Sequence, residues 1–209
     1  MRGSSRPDRS ESVGSDVLTA GYLPQSGIYD EMMNRAGEIR PYWQNFLDEL
    51  GAMPRQEIQS SWDTAQRLVR ENGTTYNVYD DPNNDMRPWR MDPIPMLIGA
   101  DEWRAIERGL IQRARLLNAI VADIYGEQKL LTDGKLPPSL IFGNPNFLRP
   151  LHGTTPPGNI HLNFMAFDLA RASDRRWWVL SDRTQAPSGA GYALENRVVM
   201  ARTLPNIFR

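Results

Sequence analysis

The sequence predicts a mixed fold, α+β or α/β, in which a helical N-terminal region packs on a mixed sheet. Three observations carry this. Apolar residues recur at helical spacing across much of the chain between Ile28 and Ile124. The β-forming runs are short and lie at 74–81, 160–168 and 176–182. Stretches rich in proline and glycine separate these blocks.

The 209 residues suffice for one sizeable core. Lys and Arg total 24 against 25 Asp and Glu, a net charge of −1, so no basic field favours nucleic acid or anionic lipid as a partner. No apolar run is long enough for a membrane span. No apolar segment follows Arg2 and Arg6, so a secretory signal is not expected and the cytoplasm is the expected address. The lack of cysteine excludes disulfides, thiolate metal sites and cysteine nucleophiles, and His152 and His161 are the only histidines.

Residues 1–27 are polar, without a periodic apolar face, and read as a disordered tail; the folded domain is expected over 28–209. Ile28, Met32, Met33, Ala36 and Ile39 predict a first helix. Pro41 suits the first turn of a second, carried by Trp43, Phe46, Leu47 and Leu50 until Gly51. A third is predicted from about Gln56 to Glu71, stopped by Asn72-Gly73. "TTYNVYDD" predicts a strand, and "RPWRMDPIPMLIG" an edge or extended segment, because proline cannot donate to a ladder. Asp101 is the expected cap of the longest helix, whose stripe runs from Trp103 through Ile106, Leu110 and Leu117 to Ile124. Its arginines, Arg104, Arg108, Arg113 and Arg115, read as mostly off that stripe and solvated. "SLIFG" predicts a short buried strand, and 143–159 an irregular connection.

"IHLNFMAFD" and "RWWVLSD" both alternate, predicting a hairpin. A turn centred on Arg175 sets Asp168 directly opposite Asp182, on the face of the apolar residues. Facing carboxylates require a shared proton, an arginine or a divalent cation between them, and carboxylates without cysteine favour an oxygen-seeking ion such as Mg²⁺. The plainer alternative is a different register, with both acids ending strands at the solvent edge. Beyond Asp182 lie Ser188, Gly189, Ala190 and Gly191, then a helical pattern. Glycines admit close backbone approach to phosphate, a helix start adds positive partial charge, and Ser188 is the expected N-cap. An ordinary glycine-rich helix entry explains the same residues.

The phrases "RPWRMDPIPMLIGADEW", "GLIQRARLLNAIVADIYGEQKLL", "LPPSLIFGNPNFLRPLHG" and "WWVLSDRTQAPSGAGYALENR" closely resemble the N-terminal part of the circularly permuted ATP-grasp type 2 family. The resemblance covers about Tyr29 to Arg209 and implies an incomplete ATP-grasp domain, related to glutathionylspermidine synthetase-like ligases. It implies ATP and Mg²⁺ as cofactors, with the metal on Asp168, Asp182 and an amide-like group near Thr184 or at Gln185. It also implies Ser188, Gly189, Ala190 and Gly191 near phosphate or substrate, and Arg183 or Arg197 meeting phosphoryl charge. The implied partners are a small-molecule or peptide carboxylate and an amine acceptor. Family members continue past "TLPNIFR", so the remaining C-terminal domain is expected to supply the nucleotide clamp.

A non-catalytic peptide- or protein-binding module is the competing reading, suited by six tryptophans and the 143–159 loop. A nuclease or nucleic-acid binder is disfavoured by the net charge. Among single residues, His152 reads as a turn histidine, and His161 as facing away from Asp168. Trp177 is expected outward and Trp178 inward. Asn72 and Asn77 read as turn and strand-edge residues, and Glu195 and Asn196 as a solvated helix face.

Overall fold

A computed structural model describes residues 12–77, 86–92 and 94–208. The mixed α+β class holds. The strands form two separate two-stranded antiparallel ribbons rather than one mixed sheet among the described residues. The chain divides into two compact units, one of Met1–Leu97 with Ser188–Arg209 and one of Ile98–Pro187.

In the first unit, α1 spans Ser15–Leu18, α2 Pro41–Gly51 and α3 Arg55–Glu71. Strands β1 (Thr75–Asn77) and β2 (Met86–Pro88) pair antiparallel, and α7 spans Ala190–Thr203. Of the run "TTYNVYDD", residues 78–81 lie outside the described residues. Pro41 occupies the first turn of α2, as its fixed φ allows. Trp43, Phe46, Leu47 and Leu50 then form a buried cluster joined by Ile39, Ile58, Leu97 and Ile207. A second cluster, Ala65, Val69 and Val199, locks α3 against α7.

Residues 28–40 depart from the helix their periodicity predicts. Side-chain acceptors capture the backbone there: Asp30 takes the amides of Met32 and Met33 at 2.9 and 2.6 Å, and Asn34 those of Ala36 and Glu38. Gly37, at φ 79°, completes a turn that lets Met33 bridge Ile39. Short polar side chains here outcompete the i→i−4 ladder.

Within the expected tail of 1–27, residues 1–11 lie outside the described residues. Residues 12–18 are docked, so the tail reading does not hold for them, whereas most of residues 20–27 are exposed. Gly14 N–H donates to Gly51 at 2.9 Å, Ser12 bridges Pro54, and Leu18 joins the α2 cluster.

The second unit holds α4 (Ala100–Tyr125), α5 (Lys129–Thr132), α6 (Pro138–Phe142), β3 (Ala166–Arg171) and β4 (Trp177–Arg183). The N-cap of α4 is Gly99; Asp101 is the second residue of the helix and pairs with Arg104 instead. The segment "SLIFG" is helical rather than a strand, because Pro137 and Pro138 supply a preset N-terminus. No described helix is long and apolar enough to cross a membrane.

Gly51 gives a direct test of the docked N-terminal segment. Replacing a helical glycine by alanine ordinarily stabilises by about 1 kcal/mol. Here the added Cβ would lie 2.6 Å from the Ser15 amide nitrogen. Gly51→Ala is therefore expected to destabilise by about 1–3 kcal/mol and to abolish exchange protection at the Gly14 amide. A stabilised variant with Gly14 still protected contradicts the docking.

Candidate functional site

The β3–β4 turn closes one residue earlier than its sequence suggests. Arg171 pairs with Trp177, and Ala172 N–H donates to Arg176 at 2.8 Å. Asp174 accepts from the Arg176 amide and Nε, while Arg175 takes the left-handed conformation at φ 75°. The register then slips: Leu169 pairs with Val179 but Asp168 with Ser181, leaving Leu180 as an extra bulged residue.

The earlier turn and the bulge together overturn the expected facing of the two aspartates. Phe167, not Asp168, lies opposite Asp182. Successive strand residues point to opposite faces, so Asp168 shares a face with Ser181 and Arg183, while Asp182 points the other way. Asp168 accepts from the Ser181 hydroxyl and from Arg183 at 2.9–3.0 Å. Asp182 receives a bidentate fork from Arg113 of α4, Nε to Oδ1 at 2.6 Å and Nη2 to Oδ2 at 2.7 Å. Arg113, though still exposed, is thus paired with the ribbon rather than free in solvent.

Each carboxyl is held below the usual Asp value. For Asp182 the main cause is the Arg113 hydrogen bonds, with its charge adding and desolvation opposing. For Asp168 it is the Ser181 hydrogen bond and then Arg183. Two carboxylates on opposite faces, each satisfied by its own arginine, do not fit a single shared Mg²⁺ in this arrangement. Among the described residues no three His, Asp or Glu side chains gather to hold a metal. Gln185 lies exposed in a bend, with no side-chain hydrogen bond among the described residues.

The tryptophans are placed the other way round from expectation. Trp177 Nε1 donates to Glu102 of α4 at 3.1 Å, and the Arg171 guanidinium lies 4.3 Å from the Trp177 ring centroid. Trp178 is 52% exposed. His161 lies before β3 rather than in it, its amide donating to Asn118 Oδ1 at 2.8 Å.

In the first unit, the N-cap of α7 is Gly189 rather than Ser188, at φ 112°, a conformation glycine adopts without Cβ strain. No side chain caps this end. The Ala190 and Gly191 amides therefore begin the helix without a side-chain acceptor. Four contacts hold α7 in place. Tyr192 donates to the Thr75 carbonyl at 2.7 Å, and its ring stacks on Trp89 at 4.3 Å. Trp89 Nε1 donates to Asn196 Oδ1 at 2.8 Å, and Asn72 to Glu195 at 2.6 Å. Glu195 and Asn196 are thus tethers, a role their sequence positions did not reveal. Arg197 lies about 10 Å along the axis from Ala190. Its guanidinium is 5.2 Å from the Phe208 ring centroid, at a cleft shared with Phe46, Leu97 and Met200.

Sequence comparison, rather than this geometry, assigns the chain to a family. The family model for circularly permuted ATP-grasp type 2 matches residues 95–209, and the chain belongs to that family. It is 37% identical over 188 residues to an uncharacterised protein of Mycobacterium tuberculosis, covering 86% of this chain and 21% of that one. It is 36% identical over 182 residues to an uncharacterised protein of Synechocystis, covering 87% and 38%. A third, from Mycobacterium leprae, is 33% identical over 200 residues, covering 94% and 35%. The chain therefore spans about a fifth to two fifths of these relatives.

A depressed carboxyl contributes stability above its ordinary pKa, which is lost as pH falls through the folded value. The Arg113–Asp182 fork is thus expected to persist down to pH values below the usual Asp range and release only there. Carboxyl-carbon NMR should show Asp182 titrating below the usual Asp value, and Arg113→Met should return it upward. An Asp182 midpoint unmoved by Arg113→Met contradicts the pairing.

Proposed function

We propose that the chain is the front part of an ATP- and Mg²⁺-dependent carboxylate–amine ligase. Family membership across 95–209, which includes the β3–β4 ribbon and α7, is the observation that carries this reading. Such a ligase moves the γ-phosphoryl group of ATP to a carboxylate, releasing ADP. An amine then attacks the acyl carbon, expelling phosphate and losing a proton as the amide forms. No side-chain nucleophile is needed, consistent with a chain that lacks cysteine.

In this reading the backbone amides at Gly189, Ala190 and Gly191, with the Ser188 hydroxyl, receive phosphoryl or substrate oxygens. Arg183 and Arg197 offer guanidinium forks to phosphoryl or carboxylate charge. Mg²⁺, when bound, screens the phosphate charge; Asp168, Asp182 and Gln185 are the candidate ligands, but as arranged they do not converge on one ion. The acid is a small molecule or peptide, and the reaction belongs in the cytoplasm. The nucleotide clamp comes from the enzyme's remaining C-terminal domain.

The pairing of both aspartates with arginine favours a second reading, a non-catalytic module that binds a peptide or protein. Hydroxylamine separates the two, because it traps acyl phosphates as hydroxamates. A full-length relative given ATP, Mg²⁺, hydroxylamine and a panel of carboxylic acids should form hydroxamate and ADP in equal amounts. Asn at the positions aligned with Asp168 and Asp182 should lower that rate about 100-fold or more, the scale of losing a charge-stabilising group. Release of AMP sinks the acyl-phosphate route, turnover untouched by either change sinks the assigned role of the two aspartates, and absence of any turnover favours the binding module.

A further inference from the structure

The connection between α6 and β3 is irregular yet firmly built, and it walls a second concavity far along the chain from both aspartates. Its anchor is Tyr125, near the end of α4. The Tyr125 ring stacks on Phe147 at 5.2 Å, its hydroxyl accepts the Leu148 amide at 3.2 Å, and its carbonyl accepts the Gly153 amide at 2.7 Å. Phe142 meets Phe147 edge-on at 5.5 Å. Asn144 and Thr154 add local bonds, to the Asn146 amide at 2.9 Å and the Leu151 carbonyl at 2.6 Å. The rings and loop are therefore fixed before any ligand arrives, which lowers the ordering cost of binding.

Phe142, Phe147, Gln128, Arg149 and His152 line a hollow of about 420 Å³. That size suits a small organic molecule. Arg149 and His152 make no ion pair and no side-chain hydrogen bond among the described residues. Gln128 sits in the left-handed region at φ 56°, where glycine is the easier residue. The backbone there is clamped by Asp123, whose carboxylate accepts the Lys129 and Leu130 amides at 2.9 Å. The Gln128 Nε2 donates to the Ile124 carbonyl at 3.1 Å, which holds this amide in place at the rim of the hollow. Backbone outliers of this kind concentrate at binding sites.

We propose that this hollow binds a carboxylate carried on a flat apolar group, with the rings of Phe142 and Phe147 against the apolar part and Arg149 pairing with the acid. The planar fork of arginine matches a carboxylate bidentately. A single permanent cation beside an imidazole and an amide matches one negative charge better than the two or more of a phosphate. The aromatic wall selects an acid bearing a ring over a simple aliphatic one. The proposal needs neither ATP nor a metal and stands independently of the ligase reading. The same chemistry is offered by a free aromatic acid and by the C-terminal residue of a peptide.

The test uses the whole chain, amide NMR shifts and four probes: 3-phenylpropionate, N-acetylphenylalanine, N-acetylphenylalaninamide and acetate. At least one of the two aromatic acids should saturate shifts confined to Gln128 and 142–153. Acetate and the carboxyl-blocked amide should bind at least tenfold more weakly. Arg149→Gln should weaken the acid at least tenfold with an unchanged thermal midpoint, and Arg149→Lys should restore part of the affinity. Preference for N-acetylphenylalanine identifies a peptide end, and equal or better binding of 3-phenylpropionate a free acid. Failure of both acids to saturate, equal binding of the blocked amide, or unchanged affinity in Arg149→Gln overturns the site.

Discussion

One face of α4 carries two arginine–carboxylate forks, and the second unit is organised around them. Glu102 pairs with Arg171 of β3, and Arg113 with Asp182 of β4. Eleven residues separate Glu102 from Arg113, close to three full turns, so both project from one side of the helix. A two-stranded ribbon is marginal by itself in water. The forks, with Trp177 bonded to Glu102, fix one face of the ribbon to α4. The Arg171 side chain is 6% exposed and that of Glu102 31%, so the arginine side of the pair is withdrawn from solvent. Removing one partner from such a pair costs far more than the pair contributes, because an uncompensated charge stays behind.

This constraint dictates which acid faces where. With Asp182 committed to Arg113, strand alternation sends Ser181 and Arg183 to the other face, and Asp168 finds both there. The bulge at Leu180 makes the two assignments compatible. Without it, Asp168 would pair with Leu180 and Ala166 with Asp182, setting both carboxylates on one face as diagonal like-charged neighbours. The two carboxylates do not face each other, and each pairs with an arginine of its own.

Much of this was legible in the residues. Proline at the first turn and the apolar clusters placed α2 and α3 within a residue or two, and alternation placed β4 within a residue but began the first strand six residues before β3. What escaped has physical causes. A bulge leaves no mark on period-two alternation, so Leu180 looked like an ordinary inward residue and the faces of Trp177 and Trp178 came out exchanged. Asp30 and Asn34 turned a helical apolar spacing into a loop by capturing amides. Arg113 did leave a signal: it continues the spacing of Ile106, Leu110 and Leu117, placing a cation on the helix face that meets the ribbon. Trp89 and Tyr192, which seat α7, lie about a hundred residues apart, and nothing local announces their stacking. Family membership rested on long specific phrases, which survive errors in individual elements.

The register of the ribbon is the central claim, and the absence of cysteine makes it directly measurable. Paired cysteines introduced at 168 and 181 should form a disulfide under mild oxidation, because cross-strand partners bring their Cβ atoms to about 4.5–5.5 Å. Cysteines at 168 and 182 should remain reduced under the same conditions, their side chains lying on opposite faces. Efficient crosslinking of 168 with 182, and none with 181, would contradict the bulge and restore two facing carboxylates.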